Sequence, residues 1–105
     1  MLSLYGRETS INVQKVAWAL GELGVQFEWV GRDGQVGNIG VEKYEDLNAA
    51  QRVPTLVDNE LVLNQSNSII RYLASEYRGE LWLEDPGERA QADQWMEWQS
   101  TDLWV

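Results

Sequence analysis

The strongest constraint on the fold is a change of hydrophobic period, from strand to helix and back, within the first 30 residues. Apolar residues alternate at Leu2 and Leu4, which predicts a short strand. Four apolar residues then share one face of a predicted helix: Val13, Val16, Ala17 and Leu20. Alternation returns in a second predicted strand, at Val25, Phe27 and Trp29. This order favours parallel strands joined by a helix, as in an α/β domain.

The second half of the chain predicts a hairpin followed by a helix. Residues 31–40 hold four of the nine glycines and indicate a loop, and Val41–Leu47 is predicted as a short, irregular helix. A third strand is predicted at Thr55–Val57, a turn at Asp58–Asn59 and a hairpin partner at Leu61–Leu63. Helical spacing then continues through Ser66, Ile69, Ile70, Leu73 and Tyr77.

The last residues are predicted as a linker and one more helix. Arg78–Gly87 contains Pro86 and is typical of a linker, whereas Glu88–Trp104 has helical spacing. This helix carries Trp95, Trp98 and Trp104 but has no obvious surface to pack against. Large exposed rings indicate a partner surface, so we expect these tryptophans to contact further chain or another subunit.

Composition excludes several classes of site. With 8 Lys and Arg against 17 Asp and Glu, the formal charge is −9, which disfavours nucleic acid and anionic membrane surfaces as partners. The chain has no cysteine and no histidine. Disulfides, thiolate or imidazole metal sites, Ser-His-Asp triads and cysteine nucleophiles are therefore impossible within it. Chemistry must depend on hydroxyls, carboxylates, amides, backbone groups or cations.

The sequence shows neither a secretory signal nor a membrane span. Met1–Tyr5 has no basic region and no long apolar stretch after it, and no apolar run approaches the ~18 residues that cross a bilayer. We therefore expect a cytoplasmic protein with no membrane partner.

Three segments resemble the motifs of one enzyme family. Residues 7–16, RETSINVQKV, resemble the first active-site motif of bacterial, theta-like glutathione transferases. Residues 52–56, RVPTL, resemble the family's cis-proline segment, and residues 64–73, NQSNSIIRYL, resemble its γ-glutamyl site. The spacing between the segments also fits, and the resemblance covers residues 1–86. Each motif alone is weak, but the three together are specific.

The resemblance implies a fold, a domain organisation and a substrate. It implies an α/β, thioredoxin-like βαβ-α-ββα domain at residues 1–78, a linker at 79–87, and at 88–105 the first helix of a truncated all-helical domain. It further implies that glutathione is a co-substrate whose thiol attacks an electrophile, with no cofactor and no metal. The sequence does not identify the electrophile, because in this family the second domain supplies most of the pocket that binds the electrophile. The complete protein is expected to be a homodimer.

The resemblance assigns the chemistry to Ser10. A hydroxyl at the start of the first helix can donate to a thiolate, and the helix end adds positive potential. Serine is also a common N-cap, so capping is the alternative role, and Thr9 is a second candidate hydroxyl. Asn12 is expected to bond the sulfur or to hold Ser10, unless it is simply a surface residue of the helix.

The resemblance assigns glutathione binding to two further segments. A cis bond at Val53–Pro54 turns the Val53 N–H and C=O outward, where they pair with the cysteinyl backbone of the ligand. An ordinary trans proline opening a strand is the alternative. Arg52 is expected to reach the glycyl carboxylate or else to be a surface arginine. The preceding residues 48–51, NAAQ, depart from the Asn-Pro-x-Gly of many relatives, so the conformation of this loop is expected to differ from theirs.

Gln65 and Ser66 complete the predicted site. They precede the last helix of the domain, whose amino end attracts anions through its N–H groups and dipole. The γ-glutamyl carboxylate is expected on the Ser66 N–H and hydroxyl, and Gln65 is expected to bond the glutamyl end. A cap followed by a polar first turn is the alternative. Many relatives have Glu where Gln65 stands, which implies a weaker contact here with the ligand's ammonium.

A rival interpretation keeps the fold without the catalysis. Transferase-like domains of this kind also occur in binding and regulatory proteins. A thiol oxidoreductase of the same fold is nearly excluded, since that chemistry needs a cysteine nucleophile.

Overall fold

A computed structural model of the chain describes residues 2–34 and 53–100. Its strands are β1 (Leu2–Tyr5), β2 (Phe27–Val30), β3 (Thr55–Asp58) and β4 (Leu61–Asn64), and its α-helices are α1 (Ile11–Leu23), α2 (Ser66–Tyr77) and α3 (Pro86–Trp98). The predicted helix at Val41–Leu47 lies outside the described residues.

The four strands form one mixed sheet in the order β2-β1-β3-β4. β1 pairs with β2 in parallel, and β3 is antiparallel to both β1 and β4. The predicted parallel pair and terminal hairpin are confirmed. Because β1 and β3 are adjacent and antiparallel, the carboxyl end of β1 meets the amino end of β3.

One hydrophobic core joins the sheet to α1 and α2, which also pack against each other. Its fully or almost fully buried residues are Leu2, Leu4, Val13, Val16, Leu20, Leu56, Ile69 and Leu73. Leu2 and Leu4 are both buried, as the two-residue period of β1 predicts. Burying one such side chain contributes about 1.5–3 kcal/mol, so this core is the main attachment of both helices to the sheet.

Local signals mark both ends of α1 and the start of α3. Ser10 is the N-cap of α1, and Gly24 ends that helix in the left-handed conformation with φ 68°. Asp85 caps α3 by accepting from the Glu88 N–H at 2.9 Å. Since Pro86 already belongs to the first turn, α3 begins two residues before the predicted Glu88.

Two further predicted boundaries were wrong by one or two residues. β2 begins at Phe27, so Val25 lies before the strand although it packs against the core. The hairpin turn is Asn59–Glu60, because Asp58 still pairs with Leu61 in the ladder. Asn59 has φ 57°, a left-handed conformation that asparagine tolerates better than most residues.

The predicted linker contains ordered structure. Gly79–Leu81 is one turn of 3₁₀-helix. Beyond it, the Trp82 ring lies between two guanidinium groups, with Arg78 4.9 Å and Arg89 4.5 Å from the ring centroid. These cation–π contacts anchor the linker to the first turn of α3.

The tryptophans of α3 lie on the surface of the described chain. Trp95 is 68% exposed and Trp98 43% exposed, and their rings meet edge to face at 5.9 Å. Trp104 lies outside the described residues. None of the described helices has the length and apolar character that a bilayer crossing requires.

Candidate functional site

Strand pairing brings the three sequence motifs to one end of the sheet. Tyr5 at the end of β1 pairs with Thr55 at the start of β3, and Thr55 pairs with Asn64 at the end of β4. The loop after β1, the Val53–Pro54 bond and the start of α2 therefore lie side by side. Segments that are far apart in sequence form one continuous surface.

Gly6 packs between two of these segments. A methyl group at its Cα would lie 2.5 Å from Val13 Cγ2 and 3.0 Å from Val53 Cβ. Gly6 also has φ 148°, which side-chain-bearing residues rarely adopt. The contact fixes how closely the cis-proline segment approaches the first turns of α1.

Ser10 ends the loop and begins α1, as predicted. It is half-buried, and its Oγ accepts from the Val13 N–H at 3.5 Å, a long and weak bond. Accepting this bond leaves the hydroxyl proton available, since an O–H donates through its own hydrogen. Capping and donation to a sulfur anion are therefore compatible roles for the same side chain.

The Val53–Pro54 peptide bond is cis, as predicted. Pro54 is buried and Val53 is half-buried beside Gly6. Arg52, the predicted partner of the glycyl carboxylate, lies outside the described residues.

The start of α2 has the features of an anion site. The first bond across this end is Ile69 N–H to Gln65 C=O at 3.0 Å, so the N–H groups of residues 66–68 have no acceptor within the helix. No acidic side chain occupies the first turn. Ser66 is buried there, whereas Gln65 is exposed and has φ 74°, a strained value for a non-glycine residue.

Asn12 contacts the start of α2 and not Ser10. Its Oδ1 accepts from Ser66 Oγ at 3.4 Å, which links the first turn of α1 to the first turn of α2. The roles predicted for Asn12, which are bonding the sulfur, holding Ser10 or lying as a surface residue of the helix, stay predictions; its observed hydrogen-bond partner is Ser66.

Lys15 is a cation near the site that sequence reasoning missed. Its Nζ donates to Asn67 Oδ1 at 2.8 Å and to Gln99 Oε1 at 2.6 Å. Burial lowers the pKa of Lys15, an effect that the Glu97 carboxylate opposes. Lys15 shares a helix face with Asn12 at a spacing of three residues, which was the available signal. Lys15 thus hydrogen-bonds Asn67, the residue that follows Ser66 in the first turn of α2.

A separate cavity of about 650 Å³ lies between α1, α2 and α3. It is lined mainly by apolar and aromatic groups, including Trp18, Ile70 and Met96, with Lys15 at its border. Ser10, Val53 and Ser66 do not line it. In residues 2–34 and 53–100, no three acidic side chains gather closely enough to hold a metal ion.

Comparison with known proteins gives consistent matches. Residues 4–81 match the family model described as "Glutathione S-transferase, N-terminal domain". The chain is 38% identical over 106 residues to glutathione S-transferase GstB of Escherichia coli, a match spanning 98% of the chain and 51% of GstB.

Two further proteins extend the comparison. A theta class glutathione S-transferase from Xanthomonas axonopodis pv. citri, solved with glutathione bound, superposes with a TM-score of 0.84 at 41% identity, covering 96% of this chain and 49% of that one. The transcriptional regulator URE2 of Saccharomyces cerevisiae is 27% identical over 107 residues, covering 94% of this chain and 30% of URE2.

These matches confirm the thioredoxin-like fold predicted from the motifs. The chain spans about half the length of GstB and of the theta class enzyme.

Proposed function

The chain belongs to the glutathione S-transferase family through that family's N-terminal domain, and we propose that it binds glutathione and activates its thiol for attack on an electrophile. The observation that carries the proposal is the pairing of Tyr5, Thr55 and Asn64 in one row of the sheet. This row brings together a helix-capping hydroxyl, a cis-proline segment and a helix amino end.

The proposed chemistry is stabilisation of a thiolate by Ser10. A free thiol has a pKa near ~8.5, so little of it is ionised at neutral pH, and the thiolate is the nucleophile. The thiol proton leaves to water, and Ser10 Oγ–H donates to the sulfur anion beside the positive end of α1. The sulfur lone pair then forms the bond to the electrophilic carbon, and in a substitution the leaving group departs with its bonding electrons.

Glutathione is proposed to bind along the remaining two segments. Its γ-glutamyl carboxylate accepts from the Ser66 N–H, and also from the Ser66 hydroxyl once that proton turns away from its weak 3.4 Å bond to Asn12 Oδ1, with Gln65 bonding the glutamyl end. Its cysteinyl backbone pairs with Val53 like an added strand, next to Pro54. Arg52 is proposed to reach the glycyl carboxylate. The free amino end of α2 and the nearby Lys15 ammonium support an anion at Ser66.

The test separates activation from binding in the complete protein. Ser10→Ala should lower turnover at neutral pH by about ten- to a hundredfold, since one hydrogen bond to a charged group is worth about 1.5–3 kcal/mol. The loss should shrink at alkaline pH, where the thiol ionises unaided. Ser66→Ala should instead weaken glutathione binding, with a milder effect on saturated turnover. Rates with saturating glutathione across a pH series measure both.

Thr9→Ala is the matched control, because Thr9 is the adjacent and exposed hydroxyl. It should retain the wild-type pH profile. If Ser10→Ala keeps normal turnover and an unchanged profile, Ser10 is only a helix cap, and Thr9 or Asn12 becomes the candidate.

A second candidate function is a regulatory protein that binds glutathione without catalysis. The match to the transcriptional regulator URE2 favours it, because that match spans 94% of this chain. Calorimetry with glutathione, combined with an assay of thiol transfer to a reactive aryl halide, distinguishes the two. Binding without transfer supports the regulator.

The complete protein is further proposed to be a homodimer, as the motif resemblance implies, and to be cytoplasmic, as the sequence analysis expects. Light scattering on the purified complete protein measures its mass directly. A monomer over the working range of concentrations would contradict the dimer.

A further inference from the structure

The loop between β1 and α1, residues 6–9, is hydrogen-bonded at several points to the end of β2 and to the residues that follow it. The Gly6 N–H donates to Val30 C=O at 3.0 Å, and the Glu8 N–H donates to Arg32 C=O at 2.8 Å. The Trp29 indole N–H donates to Gly6 C=O at 2.8 Å. Both polar backbone groups of Gly6 are therefore held by β2.

Arg32 adds a side-chain clamp to this loop. Its guanidinium lies 4.4 Å from the centroid of the Trp29 ring, and its Nε is 2.8 Å from Glu8 Oε2. Trp29 itself packs against the core, so the clamp has a rigid base. Trp29 therefore holds Gly6, and Arg32 holds Glu8.

The clamped loop leads directly into Ser10. The Ser10 N–H donates to Arg7 C=O at 3.2 Å, and Gln14 Nε2 donates to Glu8 C=O at 2.6 Å. A rotation of the Gly6 peptide would therefore move Ser10 and the Gly6 contact with Val53 together.

We propose that Trp29 and Arg32 are positioning residues for the thiol site, holding the β1–α1 loop so that Ser10 and Val53 keep a fixed separation. The inference rests on the proposed function, and neither residue touches the ligand. A hydrogen bond to sulfur depends steeply on distance, and a misplacement of about 1 Å can reduce a rate by about a hundredfold.

Trp29 carries the larger share of this role. The Arg32–Glu8 pair is exposed, with 61% and 54% of its side chains accessible, and such pairs contribute little because water screens them. The hydrogen bond from the Trp29 indole N–H is half-buried, and it fixes the direction of the Gly6 carbonyl.

The test is Trp29→Phe in the complete protein, which removes the N–H donor and keeps an aromatic ring. Ultraviolet titration of bound glutathione reports the thiol pKa, and rates across pH report turnover. We expect turnover at neutral pH to fall by about three- to tenfold, with recovery at alkaline pH and little change in glutathione affinity.

Phe27→Leu is the packing control, because Phe27 lies 6.1 Å from the Trp29 ring and offers no polar donor. It should lower the unfolding temperature without shifting the thiol pKa. If Trp29→Phe behaves like Phe27→Leu, with an unchanged thiol pKa and pH profile, the inference is overturned.

Two other outcomes are also decisive. If the wild-type protein neither ionises bound glutathione nor transfers it, the proposed function fails, and the inference fails with it. If Trp29→Phe does not fold, Arg32→Gln decides, because it removes only the exposed pair with Glu8 and the contact with the Trp29 ring. A small rise in the thiol pKa supports the clamp, and no change overturns it.

Discussion

At the scale of single residues, Gly6 leaves less room for a side chain than the other glycines compared, Gly21, Gly24, Gly34, Gly79 and Gly87. Gly6→Ala introduces a methyl 2.5 Å from Val13 Cγ2 in a backbone conformation with φ 148°. We expect a loss of about 1–3 kcal/mol in unfolding free energy, because a packed core yields little. Urea unfolding of the complete protein measures it.

Gly21→Ala is the matched control for that change. Gly21 lies within α1, and a methyl there meets no heavy atom within 4 Å. Alanine in a helix interior should stabilise by about 0.5–1 kcal/mol. Equal effects of the two substitutions would contradict the packing described around Gly6.

The Tyr72 hydroxyl makes the free energy of unfolding depend on pH in the alkaline range. This hydroxyl donates to Asp58 Oδ2 at 2.5 Å, and this bond, with burial, raises the pKa of Tyr72 well above its ordinary value. A raised pKa means that the folded state holds the proton more tightly. The stabilisation is therefore present below about pH 10, the unfolded pKa, and is lost as the pH rises beyond it.

Tyr72→Phe should remove part of this loss of stability at alkaline pH. Tyr5 and Tyr77 also have raised pKa values, so some dependence should remain. Thermal unfolding from about pH 8 to about pH 11 provides the measurement. Asp58→Asn should flatten the curve similarly, and adding it to Tyr72→Phe should have little further effect. A wild-type slope in both variants would refute the role of the bond.

At the scale of elements, Asn67 joins α2 to α3. It is buried, its Nδ2 lies 3.3 Å from Met96 O and 3.0 Å from Ser100 Oγ, and its Oδ1 accepts from Lys15. Arg71 adds an ion pair with Asp93 at 2.5 Å. The junction between these helices is therefore polar, and its buried part depends on one amide.

Asn67→Ala should loosen α3 more than any change on the exposed face of α2. Removing the amide leaves the half-buried Lys15 without one acceptor, at a cost of about 1–3 kcal/mol. Amide exchange in α3 should accelerate by roughly tenfold or more, provided that it occurs by local opening. Ser68→Ala, on the exposed side of the same turn, is the control and should leave exchange in α3 unchanged.

At the scale of the whole molecule, α3 exposes a surface that a partner is expected to cover. Trp95 and Trp98 are open to solvent, and the nearby cavity of about 650 Å³ is bordered by Trp18, itself 60% exposed. GstB of Escherichia coli is about twice as long as this chain. We predict that Trp95, Trp98 or Trp104 contacts further chain or a second subunit in the complete protein.

Hydroxyl-radical footprinting tests this prediction. Labelling of Trp95 or Trp98 in the complete protein should fall well below that expected from the exposure described here. Tyr77, at 39% exposure and away from the cavity, serves as the reference for an accessible ring. Full labelling of all three tryptophans would show that the surface stays open.

Local pattern alone determined the elements of the fold. Alternation predicted β1, helical spacing predicted α1 and α2, and Ser10 and Gly24 marked the ends of α1. These features depend on residues a few positions apart, so a short window contains their cause. The site residues came from motif resemblance, since periodicity cannot distinguish a cap from a catalytic hydroxyl.

Tertiary structure alone decided which side chains meet at the site. Trp29 reaches Gly6 across 23 positions, Lys15 reaches Asn67 across 52, and Ser66 reaches Asn12 across 54. The first contact follows from the pairing of β1 with β2 in the sheet order β2-β1-β3-β4, and the other two follow from the packing of α1 against α2. No local pattern encodes that order, because it depends on how the strands pair and how the helices share one core.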